Sequence, residues 1–141
     1  VGKFKVYNLD RKILEMMFDK KSNLKEEVFL EEKPIGEIDT GVVGEAVIKS
    51  YKPNEIVIEA NASGSSILVL SDPFYPGWKA YVDGSETKIL RANYAFRGII
   101  IPSGKSTIKF TYKPDSFRIG AVLGALGILG MIGQTMYLRK K

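Results

Sequence analysis

Two irregular stretches hold residues whose types suit ligand chemistry: Asp72 and Tyr75 in the first, Asn93, Tyr94 and Arg97 in the second. Sugar recognition needs a flat aromatic face beside hydrogen-bonding groups that converge on hydroxyls, and both stretches supply the two types. Tyr75 and Tyr94 offer ring faces. Asp72, Asn93 and Arg97 offer an acceptor, an amide and a planar cation, which could also hold an anionic group such as phosphate. A structural reading competes: Asp72 and Asp83 cap turns, Arg97 pairs with a carboxylate, and Trp78 and Phe96 are core.

The excluded chemistry is broader. None of the 141 residues is cysteine or histidine. That removes disulfide scaffolds, Cys or His zinc sites, Ser-His-Asp triads and catalytic cysteines. Spacing singles out no carboxylate pair for glycoside hydrolysis among the 16 acidic residues. No catalytic, cofactor-binding or metal-ligating residue is assigned. The net charge of +5 does not indicate a nucleic-acid surface either. Three of the 21 basic residues are Arg139, Lys140 and Lys141, so residues 1–118 hold 18 basic against 16 acidic groups, with no basic face.

The element that positions the first stretch is a corner. Ile67 to Leu70 suits a buried strand, and Asp72-Pro73 with Pro76-Gly77 forces the backbone out of any regular element. The chain resumes with Trp78, Ala80 and Val82 on one face and turns again at Asp83-Gly84. Pro76, Gly77, Asp83 and Gly84 are therefore turn residues, and Trp78 is mainly structural, on the inner face.

Before the corner, Lys3 to Tyr7 forms a short strand. Asp10 caps a helix over Arg11 to Phe18, whose stripe of Ile13, Leu14, Met17 and Phe18 faces a core. Lys20 to Lys25 is a polar connection, Val28 to Glu31 a strand, and Ile35 to Gly44 a glycine-bearing loop. Glu45 to Tyr51 and Glu55 to Asn61 form a hairpin around Lys52-Pro53-Asn54, and Ser65 to Leu70 leads into the corner. After it come Thr87 to Arg91, a loop at Asn93-Tyr94, Phe96 to Ile101, and Lys105 to Tyr112. About seven short strands from Glu45 onward predict a mainly β chain: an antiparallel, jelly-roll-like β-sandwich with a short N-terminal helix.

Ile119 to Leu138 differs in kind, being free of charge over twenty residues. That length matches a hydrocarbon core of about 30 Å, and predicts one C-terminal transmembrane helix in contact with membrane lipid. Its glycines, Gly120, Gly124, Gly127, Gly130 and Gly133, draw a drifting stripe that would pack against other transmembrane helices. The basic cluster at residues 139–141 predicts a cytoplasmic C-terminus, which puts the β domain, residues 1–118, outside the cytoplasm. The first residue is Val, which suggests a piece of a longer protein or a processed one.

The stretch LVLSDPFYPGWKAYVDG, followed by KILRANYAFRGIIIPSGKSTIKFTYKPDSFRIG and a membrane span, resembles the C-terminal end of the bacterial YfhO-like multi-spanning membrane proteins. The resemblance is close from about Ile67 to Gly120. Before that it is loose, and a Pro-Arg pair expected soon after Tyr7 is missing. It implies a protein similar to lipid-linked sugar transferases and linked to glycosylation of cell-envelope polymers. The acidic catalytic residues would lie on early loops outside this chain. The domain would then bind a glycan or lipid-linked sugar, or pack on the membrane portion, without catalysing a reaction itself. The alternative is a processed single-span surface protein whose β-sandwich has a binding or structural role.

Overall fold

A computed structural model describes residues 1–7, 10–19 and 22–139. Alternation of apolar and polar side chains sets the strands. In β4 (Glu55–Ala62), Ile56, Ile58, Ala60 and Ala62 are buried while Glu59 and Asn61 are exposed, and in β10 (Gly104–Tyr112) Ile108 and Phe110 are fully buried. Each such large side chain contributes about 1.5–3 kcal/mol on leaving water.

The other strands are β1 (Lys3–Val6), β2 (Glu27–Leu30), β3 (Gly44–Lys52), β5 (Ser66–Pro73), β6 (Trp78–Val82), β7 (Ser85–Thr87), β8 (Leu90–Ala92) and β9 (Phe96–Ile101). They form two five-stranded sheets, ordered β1-β2-β8-β9-β5 and β3-β4-β10-β6-β7. The antiparallel pairs are nested, with β4 on β10, β5 on β9 and β6 on β7, a jelly-roll-like arrangement. The chain is mainly β, as its spacing of turns predicts, and closes with one apolar helix.

The main core lies between the sheets, where Ile56, Ile58, Ile99, Ile101, Ile108 and Phe110 meet, with Leu68, Leu70 and Trp78 packed against them. Alternate residues of β5 and β9, Ile67, Val69 and Ile100, belong to a second core with Val28, Leu30 and Leu90 on the opposite face of the first sheet. Val1 donates to the Ile67 carbonyl and accepts from its N–H, so both ends of that sheet meet around this second core.

Several expectations need correction. β1 and β2 pair in parallel, so the sandwich is not wholly antiparallel. A parallel pair needs a crossover, and α1 (Asp10–Met17) lies between these strands in the chain. Only Ile13 of its stripe is fully buried; Leu14 and Met17 are half-buried and Phe18 is 83% exposed. The Asp10 side chain, Lys20 and Lys21 fall outside the described set, and with them the expected cap and part of the polar connection. β5 does not stop at Leu70. A register shift between Leu70 and Pro73 lets it run on to pair Pro73 with Phe96. The expected single strand over Thr87 to Arg91 is two strands in different sheets, β7 beside β6 and β8 beside β9, giving eight strands from Gly44 onward.

α2 (Asp115–Arg139) contains an apolar run, Ile119–Met136, of mean hydropathy 1.7 with none of it buried, long and apolar enough to cross a membrane. Apart from the helix's own nearby backbone, none of the described residues comes within 4 Å of the Cβ position of Gly120, Gly124, Gly127 or Gly130. Lys140 and Lys141, two residues of the expected basic tail, lie outside the described residues.

Candidate functional site

At one end of the sandwich the β3–β4 hairpin faces the β5–β6 corner. Lys52 pairs with Glu55, leaving Pro53-Asn54 as a two-residue loop, and the Tyr112 N–H donates to the Asn54 carbonyl. Across from it, the Lys113 N–H donates to the Gly77 carbonyl at 2.7 Å. Gly77 sits at φ 102°, and a Cβ there would stand 2.9 Å from the Tyr112 ring, so any larger residue is both strained and crowded. Between these elements is an open cavity of about 400 Å³, lined among others by Tyr51, Asp72, Tyr75, Trp78, Arg97 and Tyr112.

Arg97 organises its floor. Its side chain is 2% exposed, and Nη2 donates to Asp72 Oδ2 at 2.7 Å. The guanidinium lies 4.1 Å from the Trp78 ring centre and 5.2 Å from that of Phe110. Nε and Nη1 are hidden from water and have no hydrogen-bond partner among the described residues. Such nitrogens cost about 1–3 kcal/mol each, which cation–π attraction of about 2 kcal/mol at a desolvated site offsets in part. Burial pulls the Arg97 pKa below the usual guanidinium value, and Asp72 opposes the shift.

Asp72 Oδ2 also accepts from the Tyr51 hydroxyl at 2.9 Å, and this bond pushes the Tyr51 phenol above its ordinary pKa. Both bonds use Oδ2, so Oδ1 makes no hydrogen bond to the described residues and can accept from a ligand hydroxyl. Tyr75 is 62% exposed at the mouth, Tyr51 61%. Trp78, half-buried, packs on the main core, touches Tyr112 at 5.3 Å between ring centres, and turns part of its surface to the cavity. It is both core and lining.

Of the residues singled out by type and spacing, Asp72, Tyr75 and Arg97 come together here; Asn93 and Tyr94 do not line the cavity. Their loop does meet the corner through main chain, the Phe74 N–H donating to the Ala95 carbonyl at 2.6 Å. The Asn93 side chain is buried, and its Oδ1 accepts from the Phe29 N–H at 2.9 Å, fastening β2. Tyr94 lies under Arg91, whose guanidinium is 5.3 Å from the ring centre. Both hold positive φ, 46° and 72°, the strain of a tight corner. Asp83 and Gly84 also take positive φ, joining β6 to β7 where Val82 pairs with Ser85.

Sequence reasoning missed Tyr51, Asn54 and Tyr112. Their signal was position: each falls where a strand meets a turn, Tyr51 and Asn54 around Pro53 and Tyr112 just before Lys113-Pro114. A larger depression of about 480 Å³ on the second sheet is lined by Glu45, Val47, Glu59, Asn61 and Lys105 among others. It has no aromatic ring for stacking. Among the described residues no group of three Asp or Glu side chains is placed to hold a metal ion.

The family model of the bacterial membrane protein YfhO matches residues 39–124, which include every residue named at the cavity. YfhO of Bacillus subtilis (strain 168) is 28% identical over 92 residues, 65% of this chain and 10% of that protein. The chain thus spans about a tenth of the length of this curated relative. No solved structure matches.

Proposed function

The chain belongs to the YfhO family of bacterial membrane proteins, and on that premise we propose that it is an extracytoplasmic binding domain followed by a membrane-crossing helix, and that its cavity takes a sugar ring of a cell-envelope glycan. In this reading the domain assists glycosylation of envelope polymers carried out by the rest of a much longer protein. Its own residues bind and do not catalyse.

The supporting observation is Asp72 Oδ1, which makes no hydrogen bond to the described residues while its carboxylate is held by Arg97 and Tyr51, in a cavity that the exposed ring of Tyr75 also lines. A buried cation that only orients a carboxylate is an expensive way to brace a surface loop; it suits an acceptor that must be ionised and fixed before a hydroxyl arrives. The Tyr75 ring supplies the stacking face. Orientation follows from charge: Arg139, Lys140 and Lys141 after the span outnumber Lys113 and Arg118 before it, which favours a cytoplasmic C-terminus. The glycine-bearing face of α2 packs on neighbouring helices of the same protein.

A second reading has its own observation. Asp72 and Arg97 belong to one sheet, and Tyr51, Trp78 and Phe110 to the other, so the cluster also clasps the sandwich together. Polymer glycosylation in cells carrying Tyr75→Ala or Tyr94→Ala separates the two. The binding reading expects loss with Tyr75→Ala at unchanged protein level and no loss with Tyr94→Ala. Full glycosylation in Tyr75→Ala cells leaves only the clasp.

A further inference from the structure

The cavity end of the sandwich is also the end from which the apolar helix leaves. The two residues that hydrogen-bond the hairpin and the corner, Tyr112 and Lys113, are followed by Pro114 and then directly by α2, whose apolar run begins at Ile119. Three extended steps and four helical ones separate Tyr112 from Ile119, at most about 16 Å of chain. The headgroup layer on one side of a bilayer is itself about 5–7 Å thick. The loops at this end therefore cannot stand far from the lipid once Ile119 enters hydrocarbon.

Their composition fits that placement. Tyr51, Phe74 and Tyr75 are 61%, 38% and 62% exposed, and Lys52 and Lys113 are exposed beside them. Aromatic rings with a polar tip settle at the membrane–water boundary, and lysines are drawn to anionic headgroups there. The opposite end, where β10 starts at Gly104, is about 30 Å away along that nine-residue strand. At that end Ser63, Ser103 and Asp83 present small or polar side chains, with exposed Val43 beside Ser63, and among the described residues no tyrosine or phenylalanine stands with them.

We infer that the hairpin tip at Tyr51-Lys52 and the corner at Phe74-Tyr75 dock on the anionic lipid surface beside the domain's own helix, so that the cavity opens at headgroup level. The inference rests on the reading that α2 crosses the membrane. Its consequence is that the glycan site is reached from the plane of the membrane.

The test uses the full chain, which is free of cysteine. Single cysteines at Tyr75, Ser103 and Leu126 are spin-labelled in phosphatidylglycerol nanodiscs, and each label's collisions with oxygen and with a water-soluble nickel complex give its depth. The expected result is Leu126 deep in the hydrocarbon, Tyr75 at headgroup depth and Ser103 in bulk water. Leu126 in the bilayer with Tyr75 as nickel-accessible as Ser103 overturns the docking while leaving the spanning helix intact. A Tyr75 label shielded from both reagents means a protein occupant and overturns the lipid assignment. A Leu126 label outside the bilayer overturns the spanning reading and the docking with it. Phosphatidylcholine discs, or Lys52→Glu with Lys113→Glu, should shift the Tyr75 label toward water; an unchanged depth in both removes the anionic headgroup from the account.

Discussion

Removing Asp72 should cost more than removing Arg97, although the two share one ion pair. With Asp72→Ala the guanidinium, 2% exposed and packed on Trp78 and Phe110, loses the one hydrogen bond it makes among the described residues and cannot turn to water. An uncompensated buried charge of this kind costs about 3–5 kcal/mol, and loss of the Tyr51 bond adds about 0.5–1.5 kcal/mol. Arg97→Met acts on the other partner. Asp72 is 20% exposed and keeps its bond to Tyr51, so it can rehydrate. The methionine fills the space between the rings, and two unpartnered nitrogens disappear. Their removal returns about 1–3 kcal/mol each, against a lost cation–π contact of about 2 kcal/mol and a lost hydrogen bond between charged groups of about 1.5–3 kcal/mol, so the two sides nearly cancel and the net change stays within about 3 kcal/mol of zero. Urea unfolding of the full chain in detergent reads the difference through Trp78, the single tryptophan, whose ring lies on the guanidinium. Equal losses, or a larger loss for Arg97→Met, would refute the view that Arg97 is a buried cation dependent on one carboxylate.

Asn93→Ala should destabilise the chain by about 2–3 kcal/mol, since it orphans the Phe29 N–H and leaves a residue at φ 46° without the polar side chain that makes this backbone tolerable; chemical denaturation measures it, and a loss below half that would contradict the fastening role. Glu27, hydrogen-bonded to Lys5 at 2.8 Å, has its pKa lowered from 4.5. A depressed carboxylate adds stability that is present above its unfolded value and lost as pH falls through the folded one. Glu27→Gln should therefore flatten the acid limb of the stability curve below about pH 4.5, and an unaltered limb argues against the pairing. A cysteine at Ser103 should react with a membrane-impermeant thiol reagent on intact cells while one at Lys141 should not; the reverse pattern inverts the proposed orientation.

Local periodicity carried much of the fold, and its failures have identifiable causes. β4, β6 and β10 alternate because one face meets the main core, and that alternation is visible in the residues themselves. The break between β7 and β8 is not. Thr87 to Arg91 reads as one run, yet Ile89 packs on the main core and Leu90 on the second, and which sheet a strand joins is decided by partners far away in the chain. The parallel pairing of β1 with β2 is hidden for the same reason. Asp72-Pro73 reads as a break in the sequence, but a bulge on the edge strand β5 accommodates the proline, which has no N–H to donate to a ladder. At the site, Arg97 carried a usable signal: one charge inside Phe96–Ile101, an otherwise apolar strand, has to find a partner. Tyr112 gave only its place before Lys113-Pro114, because it shares the alternation of Ile108 and Phe110 and so reads as core. Asn93 and Tyr94 had the right chemistry, but their side chains point to Phe29 and Arg91, a matter of backbone geometry at two positive-φ residues.

Direct titration of the full chain with purified envelope-glycan fragments, followed through Trp78 emission, tests the binding account most plainly. Trp78 lines the cavity beside Asp72 and Arg97. The account predicts a saturable change that Tyr75→Ala abolishes and Tyr94→Ala preserves. A signal that never saturates, or one lost equally in both variants, would contradict it.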